Sequence, residues 1–323
     1  MIKNLAKYSA AASSGALLYH FIKNDNKQII EDAQTINLDS IAKTSNIPKH
    51  IIPFSLVQKQ NSTVEPIPQN NNQHAIQITG QLGYPSTVNI ISKPNFIISY
   101  NKERRHPNWV MERIIKDQIS ITDAADRENA NFFNESSVDE YFQSSNGDYK
   151  NSGFDRGHLA AAANHRHSQQ NMNQTFTLAN VCPQTPELNR GIWSKLEQYT
   201  RAMAQHNKAV YCISGPLYLP YLDTNQDKNK KFIKYQVIGN NNVAVPTHFF
   251  KVIAVQRNDN DLLDVKSFVF ENSNDKKFVE GNQNLNEYLV PCDVIERATG
   301  LLITKNLKRG LINSVNKPIK GRN

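Results

Sequence analysis

SGFDRGHLAAAANHRHSQQNMNQTFTLANVCPQTPELNRGIWSKLEQYTRAMA, residues 152–204, holds a candidate general base, a candidate metal ligand and several cations able to meet phosphate. In Asp155-Arg156-Gly157-His158 an acid, a base, a glycine and an imidazole stand in four consecutive positions. The glycine is expected to bend the backbone sharply and present His158 into a cleft. A free imidazole titrates near ~6.5, so a neutral His158 can take a proton from water at physiological pH if its tautomer is fixed.

Further on, Leu188, Ile192, Leu196, Tyr199 and Met203 recur at the spacing of one apolar helical stripe, with Pro186 at its start. Asn189, Trp193 and Glu197 drift by about 40° per step and share a second, partly polar face. An amide oxygen and a carboxylate suit a hard cation such as Mg²⁺, which prefers oxygen ligands and keeps several waters. On a straight helix they are separated by about 12 Å of rise, so Asn189 would bind the ion and Glu197 its water shell. Arg156, Arg166, Arg190, Lys195 and Arg201 surround both groups with positive charge. Hydrolysis of a phosphodiester needs that charge, a base and a metal. Alone, a Gly-His pair is commonest as a surface cap and an Asn/Glu pair as a solvated helix face; the combination carries the reading. Zinc bound by His158, His165, His167 and Cys182 would match no common zinc spacing.

The ordered series Asp155-Arg156-Gly157-His158-Leu159, AAAANHR, LANVCPQTPELN and Trp193-x-x-Leu196-Glu197 is long and specific. It continues in Ser214-Gly215-Pro216-Leu217, KYQVIG from Lys234, VAVPTHFFKV from Val243 and ERATGLL from Glu296. Over residues 76–306 it resembles the DNA/RNA non-specific endonucleases, the ββα-metal (His-Me finger) nucleases. The resemblance implies an α+β fold with a mixed, mainly antiparallel sheet and helices. It also implies metal-dependent hydrolysis of DNA and RNA that leaves 5′-phosphate and 3′-hydroxyl ends. His158 would activate water, Asn189 would be the single protein ligand of Mg²⁺ or Mn²⁺, Glu197 would anchor the metal's waters and Asn180 would help order the site. Arg127 matches the arginine that stabilises transition-state charge, with Arg104 or Arg105 as the substitute. Arg156, Arg166, Arg190 and Lys195 would meet nucleic acid, and a homodimer is implied. Cys182 stands where relatives often carry a small residue and Arg190 where Gln is frequent, and neither change removes a required group. A non-catalytic nucleic-acid-binding protein of the same fold and a phosphodiesterase for small nucleotides are the alternatives, the first disfavoured because a binder needs no base beside a metal ligand.

The net charge of +8 is concentrated at the ends: residues 1–27 carry +3 and residues 301–323 carry +6, leaving −1 for the body. A binding groove must then be a local patch, since overall basicity says little about nucleic acid. Residues 1–27, free of acids until Asp25 and apolar from Tyr8 to Ile22, fit a mitochondrial targeting segment, with the intermembrane space or inner membrane as destination. A secretory signal fits less well, because three cysteines build no disulfide framework. Residues 28–75 read as a polar linker, 76–306 as the nuclease domain and 307–323 as a basic tail, with no separate C-terminal wing. Strands are expected over 88–92, 96–100, 109–115, 176–181, 209–214, 234–238 and 248–255. Residues 126–143, 221–231 and 257–264 read as polar insert or loops, and 284–289 and 294–299 as short helices, the last stopped by Gly300.

Overall fold

A strand covered on both faces reads as a near-continuous apolar run, and such runs form the centre of this fold. The computed structural model describes residues 78–80, 82–121, 123–222, 230–257, 261–280, 283–304 and 311–319. The expected targeting segment and almost all of the linker lie outside these residues, among which no helix is long and apolar enough to cross a membrane. The strands are β1 (Ile90–Ser92), β2 (Phe96–Asn101), β3 (His106–Ile114), β4 (Asp155–His158), β5 (Val181–Gln184), β6 (Ala209–Leu217), β7 (His248–Gln256), β8 (Leu263–Glu271) and β9 (Ile312–Val315). The main helices are α1 (Gln169–Thr175), α2 (Ser194–His206) and α3 (Cys292–Thr299).

Seven strands form one sheet in the order β1-β2-β3-β6-β7-β8-β9, antiparallel except for the β8–β9 pair. The period of two along each strand divides its side chains between two cores. Ile98, Phe249, Ile253, Phe268 and Phe270 face Trp193 and Leu196 on one side. Ile97, Met111, Phe250, Val252 and Val265 face Ile295 and Leu301 on the other. The first face carries the catalytic motif; the second is closed by α3, which ends at Gly300 in the left-handed region.

The motif is a ββα finger. β4 pairs antiparallel with β5, from Asp155 opposite Gln184 to His158 opposite Val181, and the chain then runs through a helical turn at Pro186–Leu188 into Asn189–Trp193 and α2. Several expectations change here. Gly157 does not turn the chain but lies inside β4, where a Cβ would collide with the buried side chain of Gln184. The expected strand over 176–181 is instead a 3₁₀ turn, Leu178–Asn180, capped by the Thr177 side chain, and the strand starts at Val181. The helix from Leu188 is not straight: Asn189–Trp193 is a π-type turn broken at Gly191 (φ −96°, ψ −112°), a position where a Cβ would collide with the Phe278 carbonyl. The regular helical drift between Asn189 and Glu197 is therefore lost.

Elsewhere, residues expected as loop at 263–264 open β8, whose alternation of buried Leu263 and Val265 with half-buried Asp264 and Lys266 is a strand signal that sequence reading passed over. Only Val237–Ile238 of the run from Lys234 is strand, paired with Val243–Ala244, and Tyr221–Leu222 pairs with Lys231–Phe232. In the basic C-terminal stretch, Ile312–Val315 joins the sheet as β9.

Gly157→Ala should overpack the finger and destabilise the protein by ~1–3 kcal/mol, and Gln184→Ala in the same chain should restore part of the loss. Equal melting curves for Gly157→Ala and wild type would disprove the close packing.

Candidate active site

His158 ends β4 and is only 8% exposed. Its ring lies edge-on to Phe176, centroids 4.8 Å apart, and 5.2 Å from Phe132. Nε2 is buried with no hydrogen-bond partner, and the residue lines the cleft. Burial, aided by the charges of Arg127, Arg156 and His165, pushes the imidazole down to about 3. His158 is thus neutral at physiological pH, as a general base must be. The orphaned Nε2 carries a cost of ~1–3 kcal/mol, which the site retains.

Facing it, Asp155 accepts from Asn189 Nδ2 (2.9 Å) and from Arg190 Nε and Nη2 (2.9 and 2.7 Å). Because Asp155 holds the nitrogen of the Asn189 amide, the oxygen is the end available to the cleft. Burial raises the half-buried Glu197 to about 7, against the charges of Lys251 and Arg201. Together with Arg127, Arg156 and Ser194, these groups line a cleft of about 370 Å³. An oriented amide oxygen and a carboxylate are donors that fit a hard, water-keeping cation. Among the described residues no three His, Cys, Asp or Glu side chains gather as a metal cluster.

The cleft therefore brings together His158, Asn189, Glu197, Arg127, Arg156 and Arg190. Arg156 also stacks over Phe132 at 4.2 Å and donates to Asn146. Asn180 is not at the cleft surface. Fully buried, it accepts from Ala160 N and donates to the carbonyls of Ala160 and Thr175, stapling the exit of β4 to the entry of β5. Arg166 is exposed and does not line the cleft, and Lys195 bonds the Gln283 carbonyl in a different groove. Of the substitutes for Arg127, Arg104 stacks on Tyr218 in a separate pocket and Arg105 bonds the Glu103 carbonyl.

Sequence reading missed Asp155 as the orienting group and a buried polar cluster behind the cleft. In that cluster Glu112 accepts from Asn164 (3.0 Å) and lies 3.2 Å from His165, while Arg201 donates to Asn164 (3.1 Å). Its signal was a charge beside apolar residues within a strand: Glu112 after Val110-Met111 in β3, and Lys251 between Phe250 and Val252 in β7.

The profile of the DNA/RNA non-specific endonucleases matches residues 77–310. Endonuclease G, mitochondrial, of Homo sapiens is 40% identical over 225 residues, covering 70% of this chain and 72% of its own. The Caenorhabditis elegans protein of that name is 35% identical over 99% of both chains, and the mitochondrial nuclease of Saccharomyces cerevisiae 35% identical over 83% of both. Among solved structures, endonuclease G in complex with its inhibitor EndoGI superposes with a TM-score of 0.70 at 36% identity, over 76% of this chain and 97% of that one. With profile, relatives and fold in agreement, the chain belongs to the DNA/RNA non-specific endonuclease family and is a mitochondrial endonuclease.

Proposed function

We propose that this cleft hydrolyses DNA and RNA without sequence preference, leaving 5′-phosphate and 3′-hydroxyl ends. The observation that carries the reading is His158, held neutral in one cleft with Asn189, Glu197 and Arg127. A neutral ring with its proton on the buried Nε2 offers the Nδ1 lone pair to water. Water oxygen attacks phosphorus, its proton passes to His158, and the P–O3′ bond breaks, so the phosphate stays on the O5′ of one fragment while the departing O3′ of the other takes a proton from water to become the 3′-hydroxyl. Arg127 meets the charge that develops on the phosphoryl oxygens. Asn189, through its amide oxygen, would hold Mg²⁺ or Mn²⁺, and Glu197 its waters. A metal so held supplies Lewis-acid neutralisation of phosphate and leaving oxygen. Arg156 and Arg190 grip phosphates, which position a strand without reading its sequence.

His158→Ala should cut plasmid and RNA slower by a factor of ~10² or more while still folding; an unchanged rate removes His158 from the mechanism. Asn189→Ala should shift the Mg²⁺ activation curve upward by a factor of ~10 or more, and a superimposable curve refutes the ligand assignment. Because burial lowers the His158 pKa, its ring should stay neutral from pH 8 down to about pH 5, where a free imidazole is mostly charged. An NMR titration of the metal-free protein tests this, and a transition near the ordinary value contradicts the buried base.

A further inference from the structure

Lys251 lies in the middle of β7, fully buried beside Phe249 and Phe250, where an apolar residue would satisfy the sheet. A buried ammonium is expensive unless its charge is used. Its surroundings show the use. Nζ donates to the carbonyl of Leu159 (3.4 Å), the residue after His158. It also stands 4.8 Å from the ring of Trp193, the last residue of the turn that opens with Asn189. One side chain from the sheet thus touches both limbs of the finger, the strand that delivers the base and the turn that delivers the amide.

The charge of Lys251 acts on Glu112 and Glu197 and favours the ionised form of each. Glu112 is otherwise engaged by Asn164 and His165, in the turn that follows β4, and that turn is bonded in turn to Arg201 of α2. Among the cations that act on Glu197, which also include Arg201 and Arg127, Lys251 is the fully buried one.

We propose that Lys251 is a positioning residue: an internal cation that sets the separation of the His158 strand and the Asn189 turn. This rests on the nuclease reading of the cleft. A purely structural lysine and a positioning lysine predict different things. Replacing a buried ion pair by uncharged side chains of similar volume is often neutral or stabilising, whereas removing one partner strands the other charge, so Lys251→Met/Glu112→Gln should lose activity without losing stability, the trade-off expected where a costly group serves function.

The test uses the full chain. Lys251→Met should lower kcat on plasmid DNA with saturating Mg²⁺ by about 10²-fold, with KM within about twofold of wild type. Removal of the cation leaves Glu112 with less compensation, so Lys251→Met/Glu112→Gln is measured beside it; a folded double variant that cuts slowly supports the role. Either variant, folded and cutting within about threefold of wild type, overturns it. A second readout does not depend on turnover: Mn²⁺ binding by electron paramagnetic resonance in the His158→Ala background, which Lys251→Met should weaken about tenfold. Equal Mn²⁺ binding overturns the link to the metal limb. Wild-type protein that binds Mn²⁺ but cuts neither polymer refutes the nuclease reading and leaves Lys251 to be judged by that affinity; absence of both cutting and binding refutes both.

Discussion

The carboxylate of Asp155 joins the two halves of the site. Its oxygens accept from Asn189 and from two nitrogens of Arg190, locking a strand to a helical turn more than thirty residues away. Desolvation would raise this carboxyl, but the bonds from Arg190 and Asn189 outweigh it and hold it below the usual range. At neutral pH Asp155 is an anion and can only accept, so it can take only the nitrogen end of the Asn189 amide. The direction of the amide oxygen, and with it the kind of ion the cleft suits, follows from the charge state of a neighbour. Without that bond, the two ends of an amide differ too little in shape for packing to choose between them.

Burial acts with opposite consequences on the two titratable groups of the cleft. It removes charge from His158, leaving a lone pair, and it drags Glu197 up to about 7, where a small change in nearby charge decides its form. A divalent cation beside Glu197 favours the carboxylate. The low-dielectric wall of Phe132 and Phe176 that keeps His158 neutral is therefore as much part of the chemistry as the imidazole.

Which residues meet in the cleft was legible because they sit close together in the chain: His158, Asn189 and Glu197 stand within one stretch, and their types suggest a base, a hard-metal ligand and an acid. How they meet was not. The glycine at 191 is demanded by the Phe278 carbonyl, and the glycine of the motif by Gln184, contacts that no local periodicity encodes. Strands with strong apolar runs, such as β2 and β7, were readable. β8 was missed because its first half alternates with charged residues, Asp264 and Lys266, whose partners come from the C-terminal segment. Asn180 was expected from the family resemblance to help order the site, and its side-chain bonds all go to backbone, joining the exit of β4 to the entry of β5.

β9 gives the C-terminal segment an importance that its composition hides. It covers the outer edge of β8, and Asn316 just beyond it accepts from Ser267 N and donates to the Val290 carbonyl, tying the strand down at its far end. An uncovered sheet edge is a template for pairing with another chain. A protein trimmed before Ile312 would keep every residue of the cleft, so proteolysis there would first be felt as a change in solubility, and the enzyme's shelf life rather than its chemistry would depend on four residues at the margin of the fold.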